Sequence, residues 1–184
     1  MVDRWHAFDD FREIVSQAED GDQAWTGVLD HARELAEHPV WQDLAGLDPA
    51  QAAASVKQRL NEIWSKYPVP SSIHVLFFGL SDMLDPTTGE GFVGYYVSGC
   101  PTYDPDDEDS IHDQRYFPDD RFIRTDFLDA IKRVALMHPT MAAFIDYAVL
   151  FAGAAILTKF GLPSRPNGAR TFVGFDEGDW AEII

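Results

Sequence analysis

Apolar residues recur every three or four positions through the first seventy residues, and charged residues fill the positions between them. This spacing is typical of amphipathic helices that bury one face. It predicts two helices, whose apolar faces consist of Phe8, Phe11, Ile14, Val15 and Ala18 in the first and of Trp25, Val28, Leu29, Ala32, Leu35 and Ala36 in the second.

A third helix is predicted from its start signal. Asp48 is a suitable N-cap, Pro49 suits the first helical position, and Gln51 stands where a capping residue reaches back. Two prolines, Pro68 and Pro70, end the helix. Its apolar stripe consists of Val56, Leu60, Ile63 and Trp64.

From position 73 the pattern changes to that of β-strands. Residues 73–78 are mostly β-branched or aromatic and apolar on both faces, as in a strand that is covered on two sides. A second strand is predicted over 91–98, and the Pro and Gly residues of 82–90 predict a long-looped antiparallel hairpin between the two. A last strand is predicted over 171–175.

Two more helices are predicted between the hairpin and the last strand. Thr125 or Asp126 is the N-cap of the first. The second, over 140–159, is the most apolar segment of the chain. Its uncharged stretch, 147–158, is shorter than the roughly 20 residues of a membrane span, and Asp146 would be costly inside a bilayer. We therefore interpret it as the central buried helix.

These elements predict an α+β fold in which about five helices pack around a small, mainly antiparallel three-stranded sheet. The helix at 140–159 is expected on one face of the sheet and the N-terminal helices on the other. The length predicts a single domain over 1–184, with a helical part at 1–67 and a sheet-containing part at 71–184.

The charge balance is strongly acidic. The chain has 31 acidic and 14 basic residues, which gives a formal net charge of −17. The excess is spread over the chain, with −7 in residues 1–70 and −10 in residues 71–184. A field of this sign repels nucleic acids and anionic membranes and attracts basic proteins. We expect a basic protein partner, and neither nucleic-acid nor membrane binding.

Two motifs that carry chemistry in other proteins fail here on context. Gly89, Gly91 and Gly94 form a literal Gly-x-Gly-x-x-Gly, but a turn precedes it and a strand follows it, whereas a dinucleotide site needs a strand and then a helix. Cys100 is the single cysteine, so it forms no intramolecular disulfide, and no basic neighbour in the sequence lowers its thiol pKa. No secretory signal pattern is visible in residues 1–6, so we expect a cytoplasmic protein without a cofactor.

Residues 101–120 are predicted to form a long loop, and this loop is the densest acidic segment of the chain. An EF-hand register from Asp104 places Asp109 where Gly is required and Arg115 where a bidentate Glu is required, so that motif fails. A looser cation site, a solvated loop and a docking surface for a basic partner stay open as interpretations. The carboxylates are those of Asp104, Asp106, Asp107, Glu108, Asp109, Asp113, Asp119 and Asp120.

Two further positions are candidates for chemistry. His112 stands beside Asp113 and is placed to join Asp106 or Glu108 in a metal or acid/base group. Asp146 lies in the predicted central helix, where a carboxylate needs a partner. It is either a structural anchor, for which the candidate partners are Arg124, Arg133 and Arg170, or a residue of a functional site.

The sequence therefore favours a binding function over catalysis. The leading hypothesis is a non-enzymatic cytoplasmic binding or inhibitory module, such as a toxin-neutralising immunity protein, that presents an acidic surface to a basic protein. The partner-binding residues are predicted to be Asp104, Asp106, Asp107, Glu108, Asp109 and Asp113. The alternatives are a metal-assisted hydrolase that uses loop carboxylates and His112, and a scaffold subunit.

Overall fold

The computed structural model describes residues 4–107, 110–111, 113–176 and 178–183. Six helices run through this part of the chain, and they confirm the predicted helical stripes. The short helix between the second and the last of the N-terminal helices was not predicted. The helices are α1 (Arg4–Gln17), α2 (Gly21–Leu35), α3 (Val40–Ala45), α4 (Pro49–Lys66), α5 (Asp126–Met137) and α6 (Ala142–Gly161).

The predicted helix starts are confirmed by their hydrogen bonds. The Asp48 carboxylate accepts from the backbone N–H of Gln51 at 2.8 Å, and Pro49 is the first residue of α4. The Thr125 hydroxyl accepts from the backbone N–H of Leu128 at 3.2 Å, so Thr125 is the N-cap of α5. Each bond satisfies an N–H that has no partner inside its own helix.

The apolar helix α6 is the centre of the fold. Helices α1, α2, α4 and α5 all pack against it. It is long and apolar enough to cross a membrane, with a mean hydropathy of 1.6, but 72% of its most apolar window is buried inside the protein. That burial is typical of the core helix of a soluble protein, as the sequence predicted.

The sheet contains five strands among the described residues, in the order β3-β2-β1-β4-β5. The central strands β1 and β4 pair in parallel, and the other pairs are antiparallel. The predicted three-stranded sheet is therefore wrong in detail: the sheet is mixed and larger. The strands are β1 (Val75–Leu84), β2 (Gly91–Cys100), β3 (Phe122–Ile123), β4 (Arg170–Phe175) and β5 (Trp180–Glu182).

The hairpin of β1 and β2 confirms the predicted antiparallel connection. Its turn is held by the Asp85 carboxylate, which accepts from the backbone N–H groups of Thr87 and Thr88. Gly89 adopts a φ of 72° in this turn, a conformation that favours glycine. Because Gly91 and Gly94 lie inside β2, the dinucleotide interpretation of the glycine motif stays excluded.

The two faces of the sheet are covered differently. Leu76 and Phe78 of β1 belong to the main core with the helices, whereas Val75 and Phe77 face the other way. That second face is covered by the segment that follows β2, through the buried side chain of Ile111 and the ring of Tyr103. The expectation that the N-terminal helices cover this face is wrong, because they pack on α6 instead.

Candidate functional site

A cavity of about 670 Å³ opens where the parallel pairing of β1 and β4 ends, beside α5, α6 and the start of α1. This volume is within the ordinary range of small-ligand sites, and ligands commonly bind at this end of parallel strands. We name it the Asp146 pocket. Its charged residues are Arg4, Asp82, Lys132, Asp146, Asp176 and Asp179, and its aromatic residues are Trp5, Tyr147 and Phe175.

Helix α6 presents Asp146 and Tyr147 to the pocket. Both lie on the same helix face as Ala143 and Leu150, because residues three and four positions apart share one side of a helix. The turn that contains them, Ile145–Val149, is π-helical, while the rest of α6 is α-helical. Single π-helical turns within α-helices occur frequently at functional sites.

Lys132 links two carboxylates on the pocket wall. Its ammonium group lies 3.1 Å from Asp82 Oδ1 and 3.3 Å from Asp146 Oδ2. Burial acts to lower the pKa of Lys132, but the hydrogen bond to Asp82 and the charge of Asp146 outweigh it, so the pKa is raised. Lys132 is therefore a charged structural link and not a poised base.

The Asp146 carboxylate is only half satisfied. Its Oδ1 atom is buried and has no hydrogen-bond partner among the described residues. Burial raises the pKa of Asp146, and the attraction of Lys132 offsets this only in part. The protein therefore holds a carboxylate where its charged form is disfavoured, which is common at functional sites.

Aromatic rings form part of the wall of the Asp146 pocket. The Tyr147 ring stacks on Phe175 with a centroid distance of 5.3 Å and meets Trp5 edge-on at 4.9 Å. The Arg4 guanidinium carbon lies 5.3 Å from the centroid of the Trp5 ring and 5.2 Å from that of Tyr147. This wall therefore already accommodates one guanidinium group, which belongs to the chain itself.

Two more carboxylates at the pocket are bonded by phenol hydroxyls. Tyr147 donates a hydrogen bond to Asp179, and Tyr96 donates one to Asp176. For both tyrosines, burial raises the pKa and the bonded carboxylate raises it further, so both phenols are neutral at physiological pH. A neutral donor orients a carboxylate without cancelling its charge, so these two aspartates keep the pocket negative.

The Asp146→Asn variant is expected to be at least as stable as the wild type at pH 7. Because the folded-state pKa of Asp146 is raised, its contribution to stability is present below the ordinary value of 3.8 and is lost as the pH rises through the folded pKa. Asparagine keeps the neutral form at every pH. Thermal unfolding at pH 7 and at pH 3 measures this, and the difference between the two proteins should shrink at pH 3. A clear loss of stability at pH 7 would show that Asp146 is a structural anchor.

The acidic segment predicted to bind a partner lies on the other side of the sheet. Asp104, Asp106, Asp107 and Asp113 are all exposed there, and Asp104 pairs with Asp107 through a backbone bridge. Glu108, Asp109 and His112 lie outside the described residues.

The segment between β2 and β3 is more ordered than predicted. Ile111 is buried against the second face of the sheet, and the backbone N–H of Asp104 donates to the Ser110 hydroxyl at 2.9 Å. The Tyr116 hydroxyl donates to the carbonyl of Tyr67 at 2.6 Å. We name the described residues of 101–117 the acidic platform, because they cover the second face of the sheet and expose the side chains of Asp104, Asp106, Asp107 and Asp113.

Several predicted contacts differ in the structure. The partner of Asp146 is Lys132, so the predicted arginine partners are wrong: Arg124 bonds to Asp129 and Arg170 to Glu182. Cys100 is fully buried, and burial, followed by the charge of Asp113, raises its pKa to about 11. A thiol of this kind is a poor nucleophile, in agreement with the sequence analysis.

No group of three or more His, Cys, Asp or Glu side chains placed to hold a metal ion occurs within the described ranges. The donor set proposed around His112 includes residues outside those ranges. Within them, the carboxylates of Asp82 and Asp146 both bind the ammonium group of Lys132.

Sequence patterns located one residue of the Asp146 pocket, Asp146 itself, because a single carboxylate interrupted an apolar helix. Asp82, Lys132, Asp176 and the aromatic wall were missed, since they come from five elements, which are brought together only in the folded chain. The chain matches no protein-family model, no curated protein and no solved structure.

Proposed function

We propose that the protein is a non-enzymatic cytoplasmic binding module that presents an acidic surface to a basic protein partner. The observation that carries this proposal is the acidic platform, where Asp104, Asp106, Asp107 and Asp113 are exposed on a segment that is fixed to the sheet. The formal net charge of −17 adds a long-range attraction for cationic surfaces.

The packing of the acidic platform against the sheet favours tight binding of a partner. Tyr103 packs against Phe172 at 4.9 Å and against Trp180 at 5.4 Å between ring centroids. The side chain of Ile111, in the same segment, is fully buried. A surface ordered before binding loses less conformational entropy when the partner docks. The carboxylates are thus presented on a preformed surface, and Glu108 and Asp109 extend the run in the sequence.

An inhibitory role is the most specific form of this proposal. Carboxylates that occupy a cationic substrate groove neutralise a toxin such as a nuclease, and small acidic immunity proteins act in this way. This inhibitory role is supported by the net negative charge and by the exposure of the platform carboxylates. The metal-assisted hydrolase that uses loop carboxylates and His112 stays the alternative, because His112 and Glu108 lie outside the described residues.

Neutralising the platform is expected to weaken partner binding. The variant Asp104→Asn, Asp106→Asn, Asp107→Asn and Asp113→Asn changes the formal net charge from −17 to −13. With about 0.2–1 kcal/mol for each exposed ion pair, affinity should fall by roughly fourfold to several hundredfold. The measurement is affinity capture from the native host, identification of the captured protein and titration of the purified pair.

A matched control separates local from total charge. Replacing Glu13, Glu34 and Glu62, exposed on helices, and Glu37, exposed just after α2, by Gln gives the same net charge and should leave affinity within about twofold. The proposal is wrong if both variants bind equally well, if the captured partner is acidic, or if binding is unchanged in 1 M salt. Self-assembly of the purified chain without a partner would favour the scaffold alternative.

A further inference from the structure

We propose that the Asp146 pocket is a second binding site, which takes the guanidinium group of an organic cation. The pocket lies on the helical side of the sheet, apart from the acidic platform, so this inference is independent of the proposed partner docking. It rests on four observations, namely an incompletely bonded carboxylate, an excess of negative charge, an aromatic wall and the position of the cavity in the fold.

The first observation is the state of Asp146. Its Oδ2 atom contacts Lys132 at 3.3 Å, while Oδ1 is buried without a donor among the described residues. A buried acceptor without a donor is costly, so the fold alone does not account for a carboxylate at this place. The torsion that orients an aspartate carboxylate is broad, so a cation in the cavity can turn both oxygens toward itself.

The second observation is the charge of the pocket. Four aspartates and two basic residues contribute to its lining, which leaves a formal excess of two negative charges. Lys132 is engaged by Asp82 and Asp146, and the other two carboxylates, Asp176 and Asp179, have neutral phenol donors. The potential inside the pocket therefore favours a cation.

The third observation selects an organic cation with a planar head. Trp5, Tyr147 and Phe175 line the cavity, and aromatic rings bind guanidinium groups by stacking and cation–π attraction. Arg4 already places its guanidinium carbon 5.2 Å from the centroid of the Tyr147 ring. The planar N–H donors of a guanidinium group also match the two oxygens of a carboxylate better than a compact ammonium group does.

The fourth observation is position. The cavity is lined by the last parallel pair of residues, Leu80 and Phe175, where β4 ends and β1 continues without it. The adjoining π-helical turn Ile145–Val149 carries both Asp146 and Tyr147. Two independent features of the backbone that accompany ligand sites in other proteins therefore coincide at this cavity.

The test compares charged and neutral ligands of the same shape. n-Butylguanidinium and n-butylurea represent a free small molecule, and acetyl-Gly-Arg-Gly-amide and acetyl-Gly-citrulline-Gly-amide represent a protein side chain. NMR titration of the full chain follows the indole N–H of Trp5 and the backbone amides of Asp146 and Tyr147. We expect the two charged ligands to shift these signals, with dissociation constants of roughly millimolar order, and the neutral ligands not to.

Variants locate the site. Asp146→Asn should weaken binding of n-butylguanidinium by at least about tenfold, and Tyr147→Leu by several-fold, while Asp113→Asn on the acidic platform should have no effect. Tighter binding of the arginine peptide than of n-butylguanidinium identifies a protein side chain as the source, and the reverse order identifies a small molecule. The inference is overturned if n-butylurea binds as well as n-butylguanidinium, if neither charged ligand shifts the signals, or if a folded Asp146→Asn protein binds like the wild type.

Discussion

The Phe151→Ala variant is expected to lower the free energy of unfolding by about 3–5 kcal/mol, the usual cost of removing a buried phenylalanine ring. Phe151 is fully buried in α6, and its ring stacks on Phe8 of α1 with a centroid distance of 3.8 Å. The substitution removes this stack and leaves a cavity between α1 and the central helix, which neighbouring helices can fill only in part.

Urea denaturation followed by tryptophan fluorescence measures this loss. Phe117→Ala is the matched control, because the Phe117 side chain is 50% exposed and its loss should cost below about 1 kcal/mol. Equal shifts of the two midpoints would contradict the assignment of α6 as the centre of the core. The Phe151→Ala variant should also loosen α1, which carries Arg4 and Trp5 of the Asp146 pocket. Hydrogen exchange of the α1 backbone amides should therefore accelerate in this variant.

A second link between α1 and α6 shows what sequence patterns leave out. The Lys159 ammonium donates to the backbone carbonyls of Val15, Ser16 and Ala18, at 3.0, 2.8 and 2.8 Å. These carbonyls lie at the end of α1, where a cation satisfies acceptors that have no partner inside the helix. Nothing in the local sequence connects positions 16 and 159, so this contact was not predictable.

Local features of the fold were predictable because their causes lie within a few residues. The caps at Asp48 and Thr125 and the turn at Asp85 each depend on a side chain that bonds to a nearby backbone N–H. The parallel pairing of β1 and β4 depends instead on how α5 and α6 return the chain across the sheet. The strands β3 and β5, with two and three residues, are too short to show a periodic pattern.

The same distinction explains the candidate sites. The acidic platform was visible in the sequence as a run of carboxylates, whereas its attachment through Ile111 and Tyr103 was not. Asp146 was visible as a charge in an apolar helix, but its partner Lys132 was not identified, because helix packing decides which of several cations is in reach. Charge patterns thus located carboxylates, and only tertiary structure showed which of them share a cavity.

The Asp129→Ala variant is expected to cost about 2–3 kcal/mol of the free energy of unfolding. The Asp129 carboxylate is buried on α5, where Oδ1 accepts from the backbone N–H of Val93 at 2.9 Å and Oδ2 from Arg124 Nε at 2.9 Å. Because β3 pairs with β2 only at Tyr95 and Tyr96, it offers no partner to the Val93 N–H. Alanine leaves that N–H buried and without an acceptor.

Two further variants make this expectation specific. Asp129→Asn keeps one carbonyl oxygen for the Val93 N–H and should recover part of the loss, whereas exposed Asp126→Ala on the same helix should cost below about 1 kcal/mol. Chemical denaturation of the three proteins gives the order. Equal stability of the alanine and asparagine variants at position 129 would mean that the charge on Arg124 matters and the bond to β2 does not. The contrast with Asp146, whose neutral variant is expected to lose no stability, separates a carboxylate that holds α5 to the sheet from one that we propose binds a ligand.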